Sequence, residues 1–124
     1  MRDHSTILLV EDYAPLRQTL TRLLTRRGFV VLAGSSGQEG LALFHAHQSA
    51  IRLALIDMMT PGMNGLDLGA ALARESPDLK ILYISGFTES VAARSFQQTC
   101  SNALLLKPFD GETLLNRVNE LLLV

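Results

Sequence analysis

Five short, continuously apolar runs divide this chain, and a helical pattern stands between each run and the next. The runs are Ile7-Leu8-Leu9-Val10, Phe29-Val30-Val31-Leu32, Leu53-Ala54-Leu55-Ile56, Ile81-Leu82-Tyr83-Ile84 and Ala103-Leu104-Leu105-Leu106. Unbroken apolar character suits strands covered on both faces. Runs this short could also be buried helix, so their spacing decides. Leu16, Leu20, Leu23 and Leu24 recur at helical spacing between the first two runs, and Gly28 follows as a stop. A second helix is predicted from near Ser36 to His47, and a third after Gly65, closed by Pro77. A weaker one falls over Ser90 to Gln98, and a last one opens at Asp110 as N-cap, carrying Leu114, Leu115, Val118, Leu121 and Leu122. Strict alternation of strand and helix predicts a three-layer α/β/α fold around a parallel sheet. The 124 residues accommodate one domain, expected over residues 1–124, with no linker or repeat.

Composition narrows the function classes. Eleven basic and 12 acidic residues leave a formal charge of -1, which offers no electrostatic footprint for a nucleic-acid backbone. A single cysteine, Cys100, excludes an internal disulfide and a cysteine-based zinc site. No apolar run approaches the roughly 20 residues that span a bilayer, and the first residues lack a signal-peptide pattern. A cytoplasmic protein without membrane insertion is the expectation.

The residues that follow the strands carry the chemistry. Glu11-Asp12 follow the first run, Asp57 the third, Ser85 the fourth, and Lys107-Pro108 the fifth. In an open parallel sheet, ligands sit at the carboxyl ends of the strands, where the strand order reverses. The common five-stranded order, 2-1-3-4-5 of the flavodoxin-like type, places strands one and three side by side at that crevice. Three carboxylates then converge beside a hydroxyl and an ammonium. Each residue also has an ordinary reading: Glu11-Asp12 as caps of the first helix, Asp57 as a loop acid, Ser85 as a turn residue, Lys107 as a solvated charge. Five such residues at four strand ends are better explained together, as a site. Clustered carboxylates raise one another's pKa, and a hard divalent cation such as Mg²⁺ relieves that repulsion. The same acids exclude a phosphate loop after the first strand, which needs glycines and N–H donors. Gly34-Ser35-Ser36-Gly37 lacks the following lysine and reads as a turn and helix start.

Ile7-Leu8-Leu9-Val10-Glu11-Asp12, Asp57 with Pro61-Gly62-Met63-Asn64-Gly65, Ile84-Ser85-Gly86 and Lys107-Pro108-Phe109 together resemble the receiver domain of two-component response regulators. The resemblance covers almost the whole chain. It implies that Asp57 accepts a phosphoryl group from a phosphohistidine on a histidine kinase or histidine phosphotransfer domain. It further implies that Glu11, Asp12, Asp57 and the backbone carbonyl of Met59 hold Mg²⁺, that Lys107 pairs with the acceptor carboxylate, and that Ser85 hydrogen-bonds a phosphoryl oxygen. Metal and ammonium would neutralise the oxygens of the transferring group, and a carboxylate is a competent nucleophile. The Lys107–Pro108 bond is expected to be cis, accessible because it precedes proline. Met59 and Phe87 stand where family members tune the access of attacking water, and neither can orient one, so slow self-hydrolysis is expected. Tyr83 to Thr88 is also similar to receivers at the end of hybrid sensor histidine kinases, and no helix-turn-helix follows the last helix.

Two positions depart from the family pattern. Thr60 stands where methionine is usual, which suggests a packing change, and Leu104 where Tyr or Phe is usual, which puts the switching read-out in question. Two rival functions are a receiver-like module that signals by contact alone and a small metal-dependent phosphatase. The phosphatase is disfavoured because it wants a second acid where Met59 stands. His45 and His47 lie two apart and cannot form an i,i+4 metal pair, so they are expected at the surface. Arg17, Arg22, Arg26 and Arg27 read either as a solvated face of the first helix or as part of a docking surface. Leu115, Leu122 and Leu123 widen the last helix's apolar stripe, which reads as a face for a weak homodimer, a junction to a longer chain, or ordinary fraying of the terminus.

Overall fold

The computed structural model describes residues 5–60, 62–86 and 104–123. Its elements, in chain order, are β1 (Thr6–Val10), α1 (Ala14–Arg26), β2 (Val30–Gly34), α2 (Gly37–Ala46), β3 (Ile51–Asp57), α3 (Gly65–Glu75), β4 (Lys80–Ser85), β5 (Leu104–Leu106) and α4 (Gly111–Leu123). All four strand pairings are parallel, in the order β2-β1-β3-β4-β5. This is the flavodoxin-like strand order expected for a five-stranded parallel sheet. The helix expected over Ser90 to Gln98 and the environments of Phe87 and Cys100 lie outside the described residues.

Side chains alternate along each strand, so the unbroken apolar runs serve two cores. Ile7, Leu9, Leu53, Leu55, Leu82 and Ile84 face α1 and α4 and pack with Leu20, Leu24, Leu114 and Val118. Leu8, Val10, Ala54, Ile56 and Tyr83 turn the other way and pack with Phe44, Leu68 and Leu72 of α2 and α3. β2 departs from the expectation. It begins at Val30 rather than Phe29, runs to Gly34, and is an edge strand that is not covered on both faces: Val30 is 49% exposed. Phe29 instead ends the turn after α1 and fills the first core.

Local signals set the helix ends. Ser36 accepts the N–H of Glu39 at 3.1 Å, Asn64 that of Asp67 at 2.9 Å, and Asp110 that of Thr113 at 2.8 Å, each satisfying a donor that the first helical turn leaves open. Gly28, with φ 96°, turns the chain out of α1. The N-cap of α1 is Tyr13, whose own side chain makes no cap. Leu115 is buried in the first core and Leu122 packs against it, whereas Leu123 is 86% exposed. The wide stripe on α4 is therefore mostly core.

Candidate functional site

Register brings the polar residues together. Val10 pairs with Ile56 and Asp57 with Ile84, so the ends of β1, β3 and β4 lie level, and the residues that follow face one crevice. The N–H of Glu11 extends the β1–β2 ladder to Gly34 at 3.0 Å, and that of Lys107 bonds the Ser85 carbonyl at 2.8 Å. These backbone bonds carry the strands' geometry one residue beyond their ends.

Carboxylate oxygens of Glu11, Asp12 and Asp57 lie within 4.8 Å of one another. Their surroundings differ. Glu11 and Asp57 are buried, whereas Asp12 is open to solvent. The Asp57 carboxylate accepts the Met59 N–H at 2.9 Å on one oxygen and the Lys107 ammonium at 3.3 Å on the other. Glu11 accepts the Tyr13 N–H at 3.1 Å through Oε2. Its Oε1 is buried without a hydrogen-bond partner among the described residues, and Lys107 Nζ is 3.9 Å away. Burial pushes the Glu11 carboxyl up to about 8, and the adjoining Asp57 carboxyl adds to the rise. Three clustered acids with one cation and an orphaned buried oxygen have the donor set of a hard divalent ion. The residues present fit Mg²⁺.

Ser85 is fully buried at the end of β4, and its hydroxyl donates to the Gly86 carbonyl at 3.2 Å. The Lys107–Pro108 bond is cis, as expected. Met59 is 60% exposed and, with the exposed Tyr13, rims the crevice. Around Asp57 the loop is braced tightly. Gly65 N–H bonds the Met58 carbonyl at 2.9 Å, and any side chain at Gly65 would strike the Asp57 carbonyl. Thr60 is buried and its hydroxyl donates to the Met63 carbonyl at 2.7 Å, so its departure from methionine adds a hydrogen bond and is more than a packing change.

Arg17 is the residue that sequence reasoning misplaced. It is half-buried, and Nη1 donates to the carbonyls of Glu11 at 2.9 Å and Asp12 at 3.4 Å, tying α1 to the acidic loop. A basic residue five or six positions after the acids, one helical turn into α1, was the available signal. Arg22, Arg26 and Arg27 are exposed, which fits either reading. His45 is also exposed, and its ring nitrogen meets the Glu75 carboxylate at 3.0 Å, linking α2 to α3.

Fold and crevice together define a parallel α/β domain that gathers three carboxylates and one ammonium at the carboxyl ends of its strands. The family model for the response regulator receiver domain matches residues 7–119, and the chain belongs to that family. It is a receiver domain of two-component systems. It is 32% identical over 118 residues to the sensor kinase CckA of Brucella abortus, covering 95% of this chain and 12% of that protein. It is also 32% identical over 122 residues to the transcriptional regulatory protein CseB of Streptomyces coelicolor, covering 98% of this chain and 51% of that one. A receiver domain structure from Clostridium thermocellum shares the fold with a TM-score of 0.86 at 24% identity, over 95% of this chain and 94% of that one. The chain thus spans from about an eighth to about half of these curated relatives. Among the described residues no helix is long and apolar enough to cross a membrane.

Proposed function

We propose that Asp57 is a phosphoacceptor, taking a phosphoryl group from a phosphohistidine of a histidine kinase or histidine phosphotransfer domain. The observation that carries this reading is the Asp57 carboxylate itself: buried, oriented by the Met59 N–H at 2.9 Å, and faced by the Lys107 ammonium at 3.3 Å. Glu11, Asp12, Asp57 and the Met59 carbonyl would hold Mg²⁺. Bound there, it supplies positive charge to the phosphoryl oxygens.

The chain's own residues do the rest. An Asp57 oxygen forms the new bond to phosphorus while the bond from phosphorus to the donor's imidazole nitrogen breaks, and that nitrogen leaves with the electron pair. Lys107 stands where the transferred group's oxygens gather, and its ammonium offsets their charge. Ser85 donates to Gly86 in the resting state, and a short shift of that loop lets its hydroxyl reach a phosphoryl oxygen. Arg17 keeps the Glu11 and Asp12 backbones in place. The domain turns over nothing beyond its own phosphorylation and dephosphorylation.

Incubation with acetyl phosphate and Mg²⁺, followed by intact-protein mass spectrometry, tests this. The expected outcome is one phosphoryl adduct that needs Mg²⁺ and is absent in Asp57→Ala. No adduct would indicate a module that signals by contact, and continuous phosphate release without a lasting adduct would indicate a phosphatase.

A further inference from the structure

We infer that the groove between α1 and the open edge of β2 receives an acidic, extended segment of a partner protein, which adds to the sheet as a strand. β2 is the outermost strand on its side, and among the described residues no backbone pairs with its outer edge. The Val30 N–H bonds the Ser5 carbonyl and the Gly34 carbonyl accepts the Glu11 N–H, both at 3.0 Å, so the even-numbered residues point toward β1. By alternation, the N–H and C=O groups of Val31 and Ala33 face outward. Natural edges are normally blunted by charge, proline or a bulge. Val30-Val31-Leu32-Ala33-Gly34 carries no charge and no proline, and its pairing with β1 runs without a register shift.

The wall above this edge has one sign of charge. A groove of about 580 Å³ lies along the flank of α1 and is lined by Arg17, Thr21, Arg22, Thr25, Arg26 and Ala33, with no carboxylate among its lining residues. Arg17 is engaged with the acidic loop, which leaves Arg22 and Arg26, both exposed, to face a bound chain. Alternating side chains of an added strand would set every second residue against this wall, where acidic groups meet Arg22 and Arg26, while the intervening residues turn to the other face. Charge also decides against a second copy of this chain. Antiparallel pairing of two β2 edges about a twofold axis places both α1 helices on the same face, with Arg22 and Arg26 of each opposed to those of the other. Like charges so placed repel.

The test uses the full chain without phosphodonor, so its outcome is independent of Asp57 chemistry. Amide NMR shifts are followed while adding a blocked heptapeptide of alternating Glu and Val, and separately its counterpart with Lys in place of Glu. The Glu peptide is expected to give saturable shifts over Val30 to Gly34 and Arg22 to Arg26, slowed amide exchange at Val31 and Ala33, and binding that weakens with salt. The Arg22→Ala/Arg26→Ala double variant should weaken binding by about tenfold. Ala33→Pro, which removes an outward N–H that the sheet does not use, should abolish the exchange protection at Val31. Equal binding of the Lys peptide, shifts confined to the acidic crevice, or β2 shifts that depend only on protein concentration would each overturn the proposal, the last by showing a second copy to be the occupant.

Discussion

Glu11 and Asp12 are chain neighbours in opposite surroundings, one fully buried and the other open to water, because alternation at a strand end turns successive side chains apart. The buried one titrates abnormally. With the Glu11 carboxyl raised from 4.5 to about 8 by burial and then by Asp57, the metal-free folded protein retains a proton that the unfolded chain releases. The folded state therefore binds more protons between those values, and this contribution to stability is complete below 4.5 and lost as pH rises through about 8. In chelator, the urea midpoint should fall from about pH 5 to about pH 8, and Glu11→Gln should flatten that slope. Identical slopes in parent and variant would contradict the assignment. Met59 makes a different prediction. Its side chain is exposed at the rim and cannot hold a water by hydrogen bonds, so Met59→Asn should speed decay of the Asp57 phosphoryl group. A phosphate-release time course that is unchanged would count against water positioning at this residue.

At the scale of elements, the loop from Met58 to Asn64 bears on the site because it sets the Asp57 carboxylate between β3 and α3. Three local bonds hold it: Gly65 N–H to Met58, Thr60 hydroxyl to Met63, and the Asn64 cap on Asp67. Thr60→Val keeps the shape but leaves the Met63 carbonyl without that donor, which should cost about 1–3 kcal/mol. Urea unfolding would report it as a lower midpoint with the same slope, and an unchanged midpoint would show that the bond contributes nothing. Caps at Ser36, Asn64 and Asp110 are local events between residues three apart, and the amino-acid pattern alone marked Asp110 as a cap and a helix start near Ser36. Thr60 is different. Nothing in a threonine's neighbours tells whether its hydroxyl turns to water or back onto the chain, and its burial under the folded loop decided that.

Across the whole molecule, the replacement of the usual aromatic by Leu104 has a structural counterpart. Leu104 is buried in the second core, opposite Tyr83 on β4, and the ring of Tyr83 reaches α3 at Gly69, where any side chain would strike its hydroxyl. Arg117 of α4 donates to the Leu104 carbonyl at 2.8 Å, tying β5 to the last helix. A leucine equally buried in both states supplies no difference in free energy between them. Amide shifts on adding beryllofluoride and Mg²⁺ should therefore be large around Asp57 and Ser85 but small over 90–98 and 111–123. Large shifts across those segments would show a full switch operating without the aromatic. The alternation of apolar runs with helical patterns, and the polar residues closing four of those runs, were enough to determine the parallel sheet and the crevice, once the common five-stranded order was adopted. Those are properties of nearest neighbours and of periodicity, which a linear chain carries in itself. Tertiary structure alone decided that β2 is not covered on both faces, that Leu115 belongs to the core, that Arg17 grips the acidic loop, and that Glu11 is buried while Asp12 is open to solvent. Each of those depends on which distant segment covers a residue, and burial by a distant segment leaves no mark on the residues next to it in the chain.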